Sequence, residues 1–379
     1  MYQLSINQTA FLQNTWQKKP QVFRQAFKHF ADPISADELA GLACEEEVAS
    51  RIVLTTEQGN NWQVLNGPFT DYGQYGEQNW QLLVQALNHW YPDCQPLIEA
   101  FRFLPDWRFD DLMASFATPG GGVGPHIDQY DVFIIQGEGR RRWTVGDTGC
   151  HQQRGGATTS PLIENFTPII DEILEPGDML YIPPGFPHQG FTLTQAMSYS
   201  IGFRAPSQQE LLSSMADYLI DHNQGQQRFT STAEPQQPGM VPAAQQQGLL
   251  ALLSELANAP QLYQPMLGKL LSQNRFELDL CEGETLSAKE LQQALQEGAI
   301  ISRIGGLKVL LLENDSESRL FINGESFAFA TADLPHAQTL TNLTSIHSDT
   351  ALGMLQSEGM CCLLRQLLAQ GYYYLADDE

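Results

Sequence analysis

The spacing of apolar residues changes twice along this chain. The first fifty residues follow a helical pattern, interrupted where "NTWQKKPQVFRQAF" breaks at Lys18-Lys19-Pro20. In "SADELAGLACEEEVASRIVL", Ser35 precedes Glu38 by three positions, a capping box that predicts a helix start. From Ile52 to about Phe203 the period shortens. "RIVLTT", "LMASFAT", "DVFIIQG", "RRRWTVG", "DMLYIPP" and "AMSYSIGFRA" are short β-branched and aromatic runs between Gly, Pro and Asp, the pattern of a mainly β sandwich or barrel with helical decoration.

After Phe203 the helical period returns. Ser207 and Glu210 form a second capping box. Residues 223–248, rich in Gln, Pro and Gly, read as a linker. Leu249, Leu252, Leu253 and Leu256 mark an amphipathic helix broken near Pro260, and a short helix follows over Met266–Leu271. Such helices must bury their apolar faces, and a second copy of the chain would cover them, so a homodimer is expected. The last hundred residues read as a small α+β module. Ser287 and Glu290 cap a helix, "AIISRIGG", "LKVLLLEN" and "RLFINGESFAF" are strands, and Asn323-Gly324 is a tight hairpin turn. One helix over Ala351–Gln370 then stops at Gly371, and "YYYLA" closes as a strand. The expected division is a β-rich domain 1–205, a helical region 206–279 and a winged-helix-like module 280–379.

Bulk properties narrow the function. At 379 residues and 42% hydrophobic, the chain can bury cores for two or three domains. Its net charge is −24, with 23 acids against 12 bases before residue 206 and 21 against 8 after it. That surface disfavours nucleic acid and suits a basic partner. The module from Cys281 onward has 14 acids and 5 bases, so no DNA binding is expected from it. No apolar run has the length of a membrane span, and the first residues lack the pattern of a signal peptide. Six scattered cysteines without CxxC spacing point to a reduced, cytoplasmic protein.

The chemistry concentrates in "GGGVGPHIDQYDVFIIQGEGRRRW", Gly120–Trp143. His126 and Asp128 are separated by one residue, and in an extended segment such positions share a face. "LEPGDMLYIPPGFPHQG" supplies a third candidate, His188, 62 residues beyond His126, enough chain for several intervening strands. Two histidines and a carboxylate on one side of Fe(II) leave positions open for cosubstrate and oxygen. The competing account is two ordinary histidines satisfied by hydrogen bonds near turns.

These motifs carry a resemblance. "FLQNTWQKKPQVFRQAF", "SFATPGGGVGPHIDQYDVFIIQGEGRRRW", "EPGDMLYIPPGFPHQG" and "SIGFRAP", with the helical middle and the acidic module, resemble the JmjC-type members of the cupin superfamily nearly end to end. These are Fe(II)- and 2-oxoglutarate-dependent oxygenases, and the similarity is to the bacterial ribosomal oxygenases among them. The resemblance implies a double-stranded β-helix core, with O2 and 2-oxoglutarate as cosubstrates. It places iron ligands at His126, Asp128 and His188. Arg141 of "QGEGRR" takes the position that anchors the distal carboxylate of 2-oxoglutarate, and Ser115 that of a hydroxyl in the same pocket. Arg140 and Arg142 then point to the opposite face. The implied reaction is hydroxylation at Cβ of an arginine in large-subunit ribosomal protein sixteen. A substrate guanidinium wants acids and aromatic faces, for which Tyr130, Asp131 and Ser207 are the candidates. Two other functions fit the sequence: a cupin with another metal acting as a hydrolase or isomerase, which has no need of Arg141, and a non-enzymatic ribosome-associated adaptor.

Overall fold

The structure, a computed structural model, describes residues 2–56, 61–154, 162–231, 237–281, 283 and 285–377. Of the expected linker, residues 232–236 lie outside the described residues. The chain divides into two compact units. One comprises 1–205 with 275–279 and 304–306, the other 206–274, 280–303 and 307–379.

The first unit carries α1 (Gln8–Asn14), β1 (Gln21–Phe23), α2 (Ala36–Leu42), β2 (Ser50–Thr56), β3 (Asn61–Asn66), β4 (Trp80–Val84), α3 (Leu87–Trp90) and α4 (Gln95–Glu99). Then come β5 (Phe109–Ala117), β6 (His126–Ile127), β7 (Asp131–Gln136), β8 (Arg141–Gly146), β9 (Pro168–Leu174), β10 (Met179–Ile182), β11 (Pro187–Thr192) and β12 (Ala196–Phe203). An eight-stranded sheet runs β1-β10-β7-β12-β5-β4-β2-β3, and a four-stranded sheet runs β6-β11-β8-β9. From β5 onward the chain crosses between these sheets at almost every step, and only β8–β9 is a local pair within one sheet. All these ladders are antiparallel. This is the winding of a double-stranded β-helix.

Burial explains the layering. All six residues of β7 are buried, so it reads as a continuous apolar run. Phe133 and Ile135 face a large core with Phe11, Leu39, Phe101, Tyr181 and Phe203. Val132 and Ile134 face the core between the sheets, with Trp143, Val145, Leu180 and Ile182. Ser35 and Glu38 form the expected capping box at the start of α2.

In the second unit lie α5 (Gln208–Asp221), α6 (Ala243–Ala257), α7 (Pro260–Ser272), α8 (Ala288–Gln296), β13 (Ile300–Arg303), β14 (Val309–Leu311), β15 (Arg319–Ile322) and β16 (Glu325–Ala328). It ends with α9 (Leu334–Asn342), β17 (Ser345–Ile346), α10 (Ser348–Met354), α11 (Glu358–Ala369) and β18 (Tyr373–Ala376). Two three-stranded sheets form, β17-β13-β18 and β14-β15-β16. Capping boxes at Ser207/Glu210 and Ser287/Glu290 open α5 and α8. Asn323 and Gly324 both take positive φ, 45° and 81°, as a two-residue turn of the primed type requires. Three helices differ from the sequence expectation. α6 starts at Ala243, inside the expected linker, because the Ala and Gln residues after Pro242 are good helix formers. α7 is longer, because Pro260 sits in its first turn, where a missing N–H costs nothing. The last helix is split: Ser357 accepts from the Met360 N–H and donates to Asp333 at 2.8 Å, so it caps a new helix where one was expected to continue. None of the six cysteines is in a disulfide, and no described helix is long and apolar enough to cross a membrane.

Candidate active site

The two histidines meet by strand register. His126 on β6 pairs directly with His188 on β11, and their ring centroids lie 4.1 Å apart. Asp128 falls just beyond β6, which is only two residues long. Its carbonyl accepts from the Gly185 N–H at 2.8 Å, which ties the segment after β6 to the Pro-Gly-Phe-Pro turn. Asp128 Oδ2 stands 3.8 Å from His126 Nε2 and 3.7 Å from His188 Nε2. These three residues are the one cluster of metal-ligating groups found among the described residues.

Their donor atoms are already oriented. His126 Nδ1 lies 2.9 Å from the Gly124 carbonyl and His188 Nδ1 lies 3.1 Å from that of Phe186. A carbonyl can only accept, so each Nδ1 carries the proton and each Nε2 presents its lone pair toward Asp128. Burial, and then the neighbouring His126, push the pKa of His188 down to about 4, so it is a neutral imidazole at physiological pH. Two imidazoles and a carboxylate on one side are the donor set that suits Fe(II) with open positions.

Arg141 begins β8 and is 2% exposed. Its guanidinium donates to Ser198 Oγ at 2.9 Å, Ser115 Oγ at 3.5 Å and Gln81 Oε1 at 3.1 Å. No ion pair to a carboxylate is found for it among the described residues. Burial lowers its pKa to about 10, so it stays cationic at neutral pH. An unpaired buried cation is costly to keep unless something anionic occupies the space beside it. Strand alternation puts Arg140 and Arg142 outside, and Arg142 forms a fork-like pair with Asp171 at 2.6 and 2.5 Å.

Ser115 is buried and shares a 2.9 Å hydrogen bond with Ser198 beside Arg141. Tyr130 is hydrogen-bonded to Asp128, and burial raises its hydroxyl pKa far above the usual range. Asp131 does not open toward the triad: Tyr181 donates to it at 2.5 Å and Gln17 at 3.0 Å, so both oxygens are engaged. The Ser207 hydroxyl accepts from the Glu210 N–H as the cap of α5.

The sequence reading missed other groups here. Gln81 and Ser198 hold Arg141 from β4 and β12. Asp110 and Asp111 lie beside Tyr130, all three 3.6–3.7 Å from where a Cβ would stand at Gly202. Burial, followed by the charge of Asp110, raises Asp111 to about 6. Only the alternation of β5 could have signalled Asp111, since it places this acid on the same face as Ser115.

Comparison with known proteins agrees with this geometry. Residues 96–211 match the JmjC domain and residues 251–374 match a ROXA-like winged helix. The chain is 45% identical to the ribosomal protein uL16 3-hydroxylase of Escherichia coli K12, covering 98% of this chain and 99% of that protein. It superposes on the Escherichia coli ribosomal oxygenase YcfD in complex with cobalt and 2-oxoglutarate with a TM-score of 0.90, at 43% identity and 99% coverage of both chains. The complex of that protein with cobalt and succinic acid gives a TM-score of 0.89 at the same identity and coverage.

Proposed function

Because the chain belongs to the JmjC-type ribosomal oxygenases, we propose that it is an Fe(II)- and 2-oxoglutarate-dependent hydroxylase of a basic protein of the large ribosomal subunit. The substrate we assign is uL16, hydroxylated at Cβ of one arginine. One observation carries this reading: a two-histidine, one-carboxylate triad lies in the same barrel as a buried guanidinium that has no carboxylate partner among the described residues.

His126 Nε2, His188 Nε2 and Asp128 would hold the iron. Arg141 would grip the far carboxylate of 2-oxoglutarate, with the Ser115 and Ser198 hydroxyls beside it. When bound, iron and 2-oxoglutarate would supply the oxidising power that turns an unactivated C–H into C–OH, 2-oxoglutarate losing carbon dioxide to become succinate, with one atom of O2 going to the product and the other to succinate. The chain's own share is orientation and exclusion of water. The carbonyls of Gly124 and Phe186 fix the imidazole tautomers. Tyr130, hydrogen-bonded to Asp128, and the adjoining Asp111 offer an aromatic and acidic lining to an incoming arginine, while Asp110 is paired with Arg275 at 2.9 Å. The net charge of −24 favours encounter with a basic protein.

The test is direct. Purified protein, Fe(II), 2-oxoglutarate and uL16 are mixed under air and digested for mass spectrometry. One arginine should gain the mass of one oxygen atom, with one succinate formed per hydroxylation. An unmodified uL16 in the presence of metal-loaded protein would overturn the substrate assignment.

We also propose a homodimer in the cytoplasm. Leu212 and Ile220 on α5 and Leu249, Leu250 and Leu253 on α6 are exposed apolar side chains, a surface that a second copy would cover. Light scattering at micromolar concentration should give twice the chain mass of 42.3 kDa. A monomer mass would refute it.

A further inference from the structure

Strand register carries one aromatic ring onto the face of the large sheet that lines the site. Paired residues of an antiparallel ladder point to one side. Ser115 on β5 pairs with Leu83 on β4, and Gln81 lies two residues before Leu83 on that same side. Gln81 pairs with Val53 on β2, and Val53 pairs with Val64 on β3. Trp62, two residues before Val64, takes that side too. Among the described strands β3 is the last of this sheet. Trp62 therefore stands at the margin of the face that carries Gln81 and Ser115.

There its ring meets the segment that leads into the triad. A Cβ at Gly124 would lie 2.7–2.8 Å from three indole atoms of Trp62, and the φ of Gly124 is +78°. Only glycine lets the ring rest against the backbone at that point. The Gly124 carbonyl is the one that stands 2.9 Å from His126 Nδ1. The guanidinium carbon of Arg154 lies 5.0 Å from the centre of the Trp62 ring. The Arg154 N–H donates to the Leu162 carbonyl at 3.0 Å, and Leu162 is bridged to His126. A tryptophan ring with a guanidinium on it thus borders the metal-ligand candidates.

Trp62 is only half-buried, and of the aromatic side chains tryptophan attracts a cation most strongly. Val64 beside it is 54% exposed and offers apolar surface to the aliphatic stem of a long basic side chain. We propose that Trp62 is a substrate-specificity residue. Its ring receives a second cationic side chain of the substrate protein, one that flanks the arginine entering the site, and this side chain replaces Arg154 on the ring. The proposal rests on the reading of the substrate as a basic protein, which the net charge of −24 favours.

The probes are two uL16 peptides that span the modified arginine, one native and one with every flanking Lys and Arg replaced by norleucine. Initial rates with Fe(II) and 2-oxoglutarate give KM and kcat for each. Trp62→Leu should raise KM for the native peptide roughly 2- to 30-fold and leave KM for the norleucine peptide unchanged. The kcat and the KM for 2-oxoglutarate should not move. Trp62→Phe keeps a ring face and should fall between wild type and Trp62→Leu. Arg154→Gln removes the resident guanidinium and should lower KM for the native peptide. A rise in KM that is equal for both peptides overturns the inference. So does a fall in kcat or in Fe(II) affinity with KM unchanged, which marks mere support of Gly124 and His126. Wild-type protein that hydroxylates neither peptide overturns the parent reading and this inference with it, whereas hydroxylation that ignores Trp62 overturns the inference alone. Should Trp62→Leu not fold, the wild-type indole N–H resonances, labelled with nitrogen-15 and assigned by substituting the other tryptophans, decide the matter. The Trp62 resonance must shift further with the native peptide than with the norleucine peptide, and an equal shift rejects the role.

Discussion

Arg141→Met should weaken 2-oxoglutarate binding by about 2–5 kcal/mol, roughly 30- to 5,000-fold in affinity, without unfolding the protein. The loss is large because the carboxylate would remain in a buried site with no cation opposite. The metal-free protein should respond differently. Among the described residues, its buried guanidinium has no carboxylate partner and its Nε has no acceptor. Replacing such a charge by an apolar chain of similar volume is commonly neutral or stabilising. Ser115 and Ser198 can satisfy each other across 2.9 Å once Arg141 is gone, which leaves only Gln81 Oε1 short of a donor. The melting temperature should therefore stay level or rise while the apparent KM for 2-oxoglutarate climbs steeply. Arg141→Lys keeps the charge but not the fork, and should fall between the two. A variant that binds 2-oxoglutarate as well as wild type, measured by calorimetry on metal-loaded protein, would show that the anchor lies elsewhere.

Local signals and long-range register contributed differently to what could be read from the chain. All three capping boxes and the Asn323-Gly324 turn lie where the sequence put them, because each needs only neighbouring residues. The triad was legible because Gly, Pro, His and Asp stand out from an apolar background, and strand register then brought them together. The surroundings of Arg141 were not legible. Gln81 lies on β4, whose five residues are all buried, so it shows no alternation to separate a strand from a buried helical run. Trp143 and Thr192 read as ordinary strand residues until the β8–β11 register sets them side by side. The break at Ser357 was hidden because its second partner, Asp333, is 24 residues away. Among the substrate candidates, Tyr130 sits beside the triad, whereas Asp131 is held by Tyr181 and Gln17, contacts that span 50 and 114 residues of sequence.

His126→Ala should abolish turnover while leaving the fold intact, and it separates the enzymatic reading from an adaptor. His126 is only partly buried, and among the described residues its imidazole is hydrogen-bonded to a carbonyl two residues away. Its removal opens little cavity, unlike His188, whose side chain is 3% exposed. The melting temperature of the metal-free protein should therefore change little. Metal affinity should fall by more than the roughly 10- to 100-fold that losing an outer hydrogen bond to a ligand costs, because a direct donor is lost. At micromolar Fe(II) the variant should hold no stoichiometric metal by elemental analysis. It should then consume no 2-oxoglutarate and leave uL16 unmodified. Binding of uL16 itself should persist, since Asp111 and the acidic surface are untouched. If the variant still hydroxylates uL16, the triad is not the metal site. If it loses hydroxylation yet sustains every cellular effect of the wild-type chain, the adaptor reading gains the ground that the oxygenase loses.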